Sequence, residues 1–318
     1  MAEDISREQL EAAHCWENDD HVPGRPEMTA FRRRARYHQA RWREAHGHPI
    51  GTQPIVPRKG TRARPAGSRM PLEYATDTGA NFVTAGALAA ARVRTSTTEP
   101  HQSFDHQRLW ADLLWYTTFA VNLFGDLSID HRKADRAVHA WWRDAPGTVA
   151  DVRFVHSPGR FDPLYLNSLR DFDAAFLLDA GDGGRGIGAV STKYHNWAKP
   201  EIPKPRNRSR NLEVAKRSGA FKRGAPEKLL ERTGFCVMFL EHLLMLSMLQ
   251  HPGGEWTWGR YVVVHPAGNV DYADLCDRYR GFLKDDSTFD SVTLEDLLAS
   301  RALAKTTARA LRERYVPA

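Results

Sequence analysis

Two short apolar segments separated by a glycine-rich turn constrain this chain more than any other feature. Residues 170–178 read Arg-Asp-Phe-Asp-Ala-Ala-Phe-Leu-Leu, and residues 186–195 read Gly-Ile-Gly-Ala-Val-Ser-Thr-Lys-Tyr-His. Between them runs Asp179-Ala-Gly-Asp-Gly-Gly-Arg185. Apolar runs flanking such a turn read as paired strands of a hairpin. Alternate side chains of a strand share a face, so Asp171, Asp173 and Ala175 project together, opposite Phe172, Ala174 and Phe176. On the second strand Ser191 and Lys193 share a face, opposite Thr192 and Tyr194. Pairing then sets the Asp173 carboxylate beside the Lys193 ammonium.

That pair suits a definite chemistry. A carboxylate is a hard-oxygen ligand for Mg2+ or Mn2+, and the backbone carbonyl of Thr192 offers another oxygen. Such an ion offsets phosphate charge and acidifies a bound water. A neighbouring lysine orients that water or stabilises the developing negative charge. An ordinary ion pair on a surface hairpin would look the same in the sequence, so the pair alone leaves both readings open.

The rest of the 318-residue chain supports a packed core, with 42% hydrophobic and 26% charged residues. No run of eighteen apolar residues lacks a charge; the most apolar stretch, 234–250, holds Glu241 and His242 and reads as a buried helix. A charged residue there must be paired or face a cleft; packing or a satisfied ion pair is the expected role for both, and a place in a site is the alternative. No membrane association is expected. The first residues are acidic and lack an apolar signal core, which argues against export. Cys15, Cys236 and Cys276 are too few and too scattered for a disulfide framework or a zinc site, so a reducing cytoplasmic setting is expected.

The net charge of +6 is uneven. Residues 28–70 carry eleven Lys and Arg against Glu44 alone, and residues 199–223 carry nine against Glu201 and Glu213. Two basic blocks around a small acidic centre point to a polyanionic partner, although a solvated charged face has the same composition. Arg33, Arg34 and Arg36 of the first block, Arg160 of the Ser-Pro-Gly-Arg turn, and Lys199, Arg206, Arg208 and Arg210 of the second are the candidate phosphate contacts. Trp197, just past the site strand, is a candidate for stacking on a base. His156 and His195 flank the centre as polar neighbours, with water activation as the alternative role for His195, and Tyr194 is expected in the core.

Periodicity predicts helices over 28–46, 78–94, 104–124, 131–144, 208–218, 227–250, 272–284 and 294–314, and strands over 152–156, 170–178, 186–194 and 258–265. Residues 47–71, rich in Gly, Pro and Arg, read as an extended arm. The organisation expected is a flexible polar tail over 1–27, a basic helical and extended arm over 28–100 packed on the core, and an α/β core over 101–318 with a mixed central sheet.

Several blocks resemble the PD-(D/E)xK nuclease superfamily, in particular a bacterial restriction-endonuclease family. They include Arg33-Arg-Ala-Arg-Tyr-His-Gln-Ala-Arg-Trp-Arg-Glu44, Asn81-Phe-Val-Thr84, Val121-Asn-Leu-Phe-Gly-Asp-Leu127 and Phe154-Val-His-Ser-Pro-Gly-Arg160. Phe172-Asp-Ala-Ala175, Gly186 to His195, Glu213-Val-Ala-Lys-Arg-Ser-Gly219 and Glu241-His-Leu-Leu244 follow in the same order. The resemblance implies a restriction-endonuclease-like fold, a mixed central sheet flanked by helices, with Asp173 at the family's Asp and Lys193 at its Lys. It implies a Mg2+- or Mn2+-dependent endonuclease acting on double-stranded DNA in defence or DNA processing.

The chain departs from the family pattern at Ser191, where the family has Glu, and at Val155. Some superfamily members carry Ser-x-Lys and take the carboxylate from a following helix. Glu213, on the helix expected at 208–218, is the candidate for that role. The metal ligands implied are then Asp173, Glu213 and Thr192. The alternative is a catalytically inactive nuclease fold that binds DNA or a protein partner. A homodimer and an assembly with a partner protein are both compatible with the sequence.

Overall fold

The computed structural model describes residues 5–56, 60, 62–97, 99–102, 104–201, 204–231 and 233–317. Arg58 and Lys59 of the basic arm lie outside them. Helix α1 (Arg7–Ala12) and α2 (Pro26–Ala45) come first. A small antiparallel ribbon of β1 (Gly51–Gln53) and β2 (Arg64–Ala66) follows. Then come α3 (Leu72–Thr78), α4 (Ala85–Ser96), α5 (His106–Ala111), α6 (Tyr116–Ser128) and α7 (His131–Trp141). Strands β3 (Thr148–His156), β4 (Phe172–Gly181) and β5 (Gly184–Thr192) lead into α8 (Arg208–Ser218), α9 (Ala225–Leu229) and α10 (Cys236–Leu249). The chain closes with β6 (Trp256–His265), α11 (Val270–Arg280), β7 (Phe289–Thr293), α12 (Leu294–Ala299) and α13 (Lys305–Tyr315).

The main sheet has the order β3-β4-β5-β6-β7. The first three strands are antiparallel, and β6 and β7 add in parallel. This is the mixed sheet flanked by helices that the sequence predicted. The β4–β5 turn uses left-handed backbone at Gly181, Asp182 and Gly183, with φ of +80°, +50° and +76°. Glycine avoids the Cβ clash that such angles impose on other residues. The register Ala174↔Val190 and Ala175↔Ala189 puts odd-numbered residues of β4 and β5 on one face.

Each face buries a separate apolar cluster. Ala174, Phe176, Val190, Val262 and Val264 pack with Phe119, Phe124, Val138 and Tyr194 beneath α6 and α7. Ala175, Ile187, Ala189, Tyr261 and Val263 pack with Phe239, Leu243 and Met245 beneath α10. Gly188 allows the close approach of Trp142, just past α7, since a Cβ there would lie 2.4 Å from its Cζ3. Helix α10 is apolar all round and buried along nearly its whole length, as a helix between a sheet and other helices must be. It lies on the face that carries Asp173, Ser191 and Lys193.

Three predicted helices are broken in two, each for a local reason. The helix expected over 104–124 stops at Asp112, whose side chain accepts from Leu114 N at 3.0 Å and competes with the helical ladder. The one expected over 227–250 is represented by α9, which ends at Leu229, and α10, which begins at Cys236 two residues after Gly234. The one expected over 294–314 divides at 300–304, where Arg301 has φ +61°. Strand β7 was not anticipated because Phe-Asp-Ser-Val-Thr is short and polar, and only pairing with β6 selects it. Residues 5–25, expected as a loose tail, carry the capping-box helix α1 and Asp20, which is fully buried against α2. Residues 28–100, expected as an arm on the core, supply Met28, Phe31, Met70, Phe82 and Ala87 to the same apolar cluster as the sheet.

Candidate active site

The C-terminal half of β5 leaves the apolar interior and turns polar at Ser191. Opposite it, β4 begins with Phe172 and Asp173. On this face the strands meet α10, and a cavity of about 650 Å3 opens between them, lined by Asp171, Asp173, Lys193 and Glu241 among others. Asp173 and Lys193, which strand alternation expects on one face, both line this cavity. Asp173 Oδ2 accepts from Thr192 N at 2.6 Å and lies 3.2 Å from Thr192 Oγ1. Thr192 thus fixes the Asp173 carboxylate through its amide.

A carboxylate does lie against Ser191, that of Glu241 on α10. Ser191 Oγ donates to Glu241 Oε2 at 2.5 Å, and Tyr261 OH donates to the same oxygen at 2.7 Å. Lys193 Nζ lies 3.7 Å from Glu241 Oε2. The expected role of Glu241 was packing or an ion pair, with a place in a site as the alternative. The signal that marks it is a lone acid inside an otherwise apolar helix.

Glu213 is elsewhere. It is exposed on α8, paired with Arg210 at 3.0 Å and Arg217 at 3.6 Å, and is not among the cavity-lining residues. An exposed carboxylate engaged by two arginines of its own helix does not reach Asp173's site.

Burial governs the electrostatics. Desolvation pushes Asp173 up to about 7, opposed by Lys193 and reinforced by Glu241. Burial works against the Lys193 charge, but Glu241, Tyr272, Asp173 and Tyr116 outweigh it, and its pKa rises. Asp171 is raised to about 6 by burial against the pull of Arg160. Burial, with help from Arg36, Arg32 and Arg108, drives His195 well below its usual range, so it lines the cavity as a neutral ring. His156 falls to about 4 on burial and does not line the cavity.

The predicted phosphate contacts separate into two groups. Lys199 and Arg206 line the cavity, together with Lys204. Trp197 lines it too, with Lys199 Nζ 5.8 Å from its ring. Arg36 is committed to Asp20 through two bonds of 2.7 and 2.8 Å, and Arg33 lies over the Trp16 ring at 4.6 Å. Arg34 is partly buried on the same helix, away from the cavity lining. Arg208 is exposed and its Nη1 is 3.5 Å from Leu230 O. Arg210 holds the carbonyls of Tyr165 and Leu164 at 2.6 and 2.7 Å.

Arg160 is not available to a phosphate. Its side chain is 3% exposed, bonded to Glu99 at 2.6 Å, Val155 O at 2.7 Å and Asp171 at 3.3 Å. Removing it leaves Asp171 without its cation and Glu99 with Arg94 alone, at 3.7 Å. Arg160→Met is therefore expected to lower unfolding stability by about 3 kcal/mol, measured by denaturant titration.

One positioning residue escaped the sequence reading. Asn269 Nδ2 is bonded to the carbonyls of Lys193, Tyr194 and Asn196 at 3.1, 3.2 and 2.9 Å. It pins the chain as it leaves β5 and so holds Lys193 and the residues after it in register with β6.

The donor set fits a small hard cation. Among the described residues, no three His, Cys, Asp or Glu side chains converge to hold a metal unaided. Mg2+ does not need such a cage, since it is commonly bound by one or two carboxylates with water and substrate phosphate completing the shell. Asp173 and Glu241 are two such carboxylates on one cavity, and among the described residues Asp173 Oδ1 and Glu241 Oε1 carry no hydrogen bond.

A mixed five-stranded sheet with this acid, acid and lysine group at the end of its hairpin defines a restriction-endonuclease-like fold. A family model described as the PD-(D/E)XK nuclease superfamily matches residues 26–317, nearly the whole chain, and the chain belongs to that superfamily. Its members are nucleases, generally use divalent metals and act on nucleic acid. Neither the curated proteins nor the solved structures give a match. Among the described residues, no helix is long and apolar enough to cross a membrane.

Proposed function

We propose that this chain is a metal-dependent endonuclease that hydrolyses phosphodiester bonds of double-stranded DNA, in cytoplasmic defence or DNA processing. One observation carries the reading: Asp173, Glu241 and Lys193 meet on one cavity, with Glu241 bonded to the Ser191 hydroxyl at 2.5 Å in place of the strand carboxylate. Asp173 and Glu241 would hold Mg2+ or Mn2+, with the Thr192 carbonyl as a further oxygen. When bound, the ion supplies charge neutralisation at the phosphate and a more acidic water.

The chain's own groups do the rest. Thr192 holds the Asp173 carboxylate in one orientation through its amide. Lys193 stays protonated and is placed to orient the attacking water and offset charge on the phosphate. Lys199, Lys204 and Arg206 at the rim attract the backbone, giving binding that weakens as salt rises. The three free cysteines are buried, which suits a reducing compartment.

The test is cleavage of duplex DNA by the purified chain with Mg2+ or Mn2+. Cutting is expected to be lost in Asp173→Ala and in Lys193→Ala. Variants that cut like the parent would show the site to be misassigned. Duplex binding without cutting or metal response would instead favour an inactive nuclease fold, the reading to which Ser191 lends support.

A further inference from the structure

The main cavity is also lined by groups that the hydrolytic site does not use. Arg32 lines it from α2 and is 6% exposed. Its single acidic neighbour within ion-pair range among the described residues is Asp20, at 3.4 Å from Nη2, and Asp20 is already taken by the two shorter bonds from Arg36. Two guanidinium groups thus share one carboxylate. Arg32 Nε and Nη1 are buried and have no hydrogen-bond partner among the described residues. A buried cation in that condition costs free energy that packing alone does not return.

Two more polar groups on the same cavity are in the same condition. His195 Nδ1 and Trp197 Nε1 are buried without partners. Both belong to the segment directly after Lys193, which Asn269 anchors through three carbonyls. The positions of these groups are therefore fixed relative to the hydrolytic residues. An indole N–H and a guanidinium can only donate. Unspent donors that line one cavity with a half-paired guanidinium suit an anionic oxygen.

We propose that Arg32 and Trp197, with His195, form a phosphate subsite that holds a second phosphate of the substrate strand beside the one being cut. This rests on the nucleic-acid reading above. It makes Arg32 a substrate-positioning residue, and it accounts for a half-paired buried cation on a helix where Arg36 is committed to Asp20 and Arg33 is packed on Trp16.

Two measurements on the full chain test it. The first follows thermal unfolding as inorganic phosphate is added. The parent is expected to gain a few degrees in Tm well above the Kd. Arg32→Met is expected to lose that gain, and Trp197→Phe, which keeps the ring and removes the N–H, to lose part of it. Without phosphate, Arg32→Met is expected to melt no lower than the parent, because a half-paired buried cation has been removed. The second measures duplex binding in an Asp173→Asn background against salt. Loss of one phosphate contact lowers the slope of log K on log salt by about 0.9.

No stabilisation of the parent by phosphate overturns the subsite. So does equal stabilisation of the parent, Arg32→Met and Trp197→Phe, and the second variant decides the case if the first folds poorly. Phosphate binding that depends on Arg32, in a chain that neither binds nor cuts nucleic acid, would keep the subsite and reject the nuclease reading instead.

Discussion

Glu241→Gln is expected to abolish metal-dependent cutting, while Glu213→Gln leaves the rate at that of the parent. The first substitution keeps the shape of the side chain and removes the charge that Ser191, Tyr261 and Lys193 surround. Losing one of two ligating carboxylates forfeits several kcal/mol of charge stabilisation, about a thousandfold in rate at 1.36 kcal/mol per decade. The second substitution changes an exposed group already engaged by Arg210 and Arg217. A sharper version relocates the carboxylate. Because Ser191 Oγ and Glu241 Oε2 are only 2.5 Å apart, a glutamate at 191 would enter the space that Glu241 now fills. Ser191→Glu alone should therefore impair the enzyme by crowding acids together. Ser191→Glu combined with Glu241→Ser should recover cutting that Glu241→Ser alone lacks. If Glu213→Gln were the silent variant's opposite and stopped cleavage, the carboxylate assignment to α10 would be wrong.

The contrast between those two glutamates marks where the sequence stops being legible. Strand alternation is a local rule, so the common face of Asp173 and Lys193 follows from the two β segments and their turn. The same rule places Tyr194 on the opposite face, where it is indeed buried in the core. Which helix delivers the second acid is a question of tertiary packing. Glu213 sits closer in sequence and on a basic helix; Glu241 lies fifty residues from Ser191, across α8 and α9. Its burial within an apolar helix was visible, but a satisfied ion pair and a metal ligand produce the same pattern. Arg160 shows the reverse error. Its turn looks suited to phosphate, yet Glu99, sixty-one residues away, claims the guanidinium. Arg32 was one of a run of arginines, and only its packing distinguishes it from Arg36. Long-range pairing decides which charges are spent and which are free, and no periodicity encodes it.

The proton on Asp173 gives the second large effect. Relative to Asp173→Asn, the metal-free parent is expected to lose on the order of 4 kcal/mol of stability as pH rises from about 4 to about 8. Burial, against Lys193 and with Glu241, raises Asp173 from 3.8 to about 7, so the folded chain holds this proton more tightly than the unfolded chain. The contribution is full below 3.8 and is lost as pH climbs through about 7, at 1.36 kcal/mol for each tenfold change in proton affinity. Asp171, raised to about 6, acts in the same direction, with a smaller share because its side chain is 30% exposed. His156 and His242 act in the opposite direction. Burial lowers them to about 4 and about 3, so acid favours the unfolded chain through them below about 6.5. They are common to both proteins, and the difference between parent and Asp173→Asn isolates the carboxylate. Mg2+ or Mn2+ binds the deprotonated acid and competes with its proton, so affinity should rise with pH up to about 7 and level off above it. At a hundredfold excess over Kd, the ion should return about 2.7 kcal/mol to the parent, and a chelator should remove it. Denaturant titrations of both proteins across this pH range, with and without metal, give all of these quantities. A flat difference between them would mean that Asp173 is hydrated rather than desolvated. An equal metal response in both would exclude it as a ligand, because the amide of Asp173→Asn carries no charge to set against the ion.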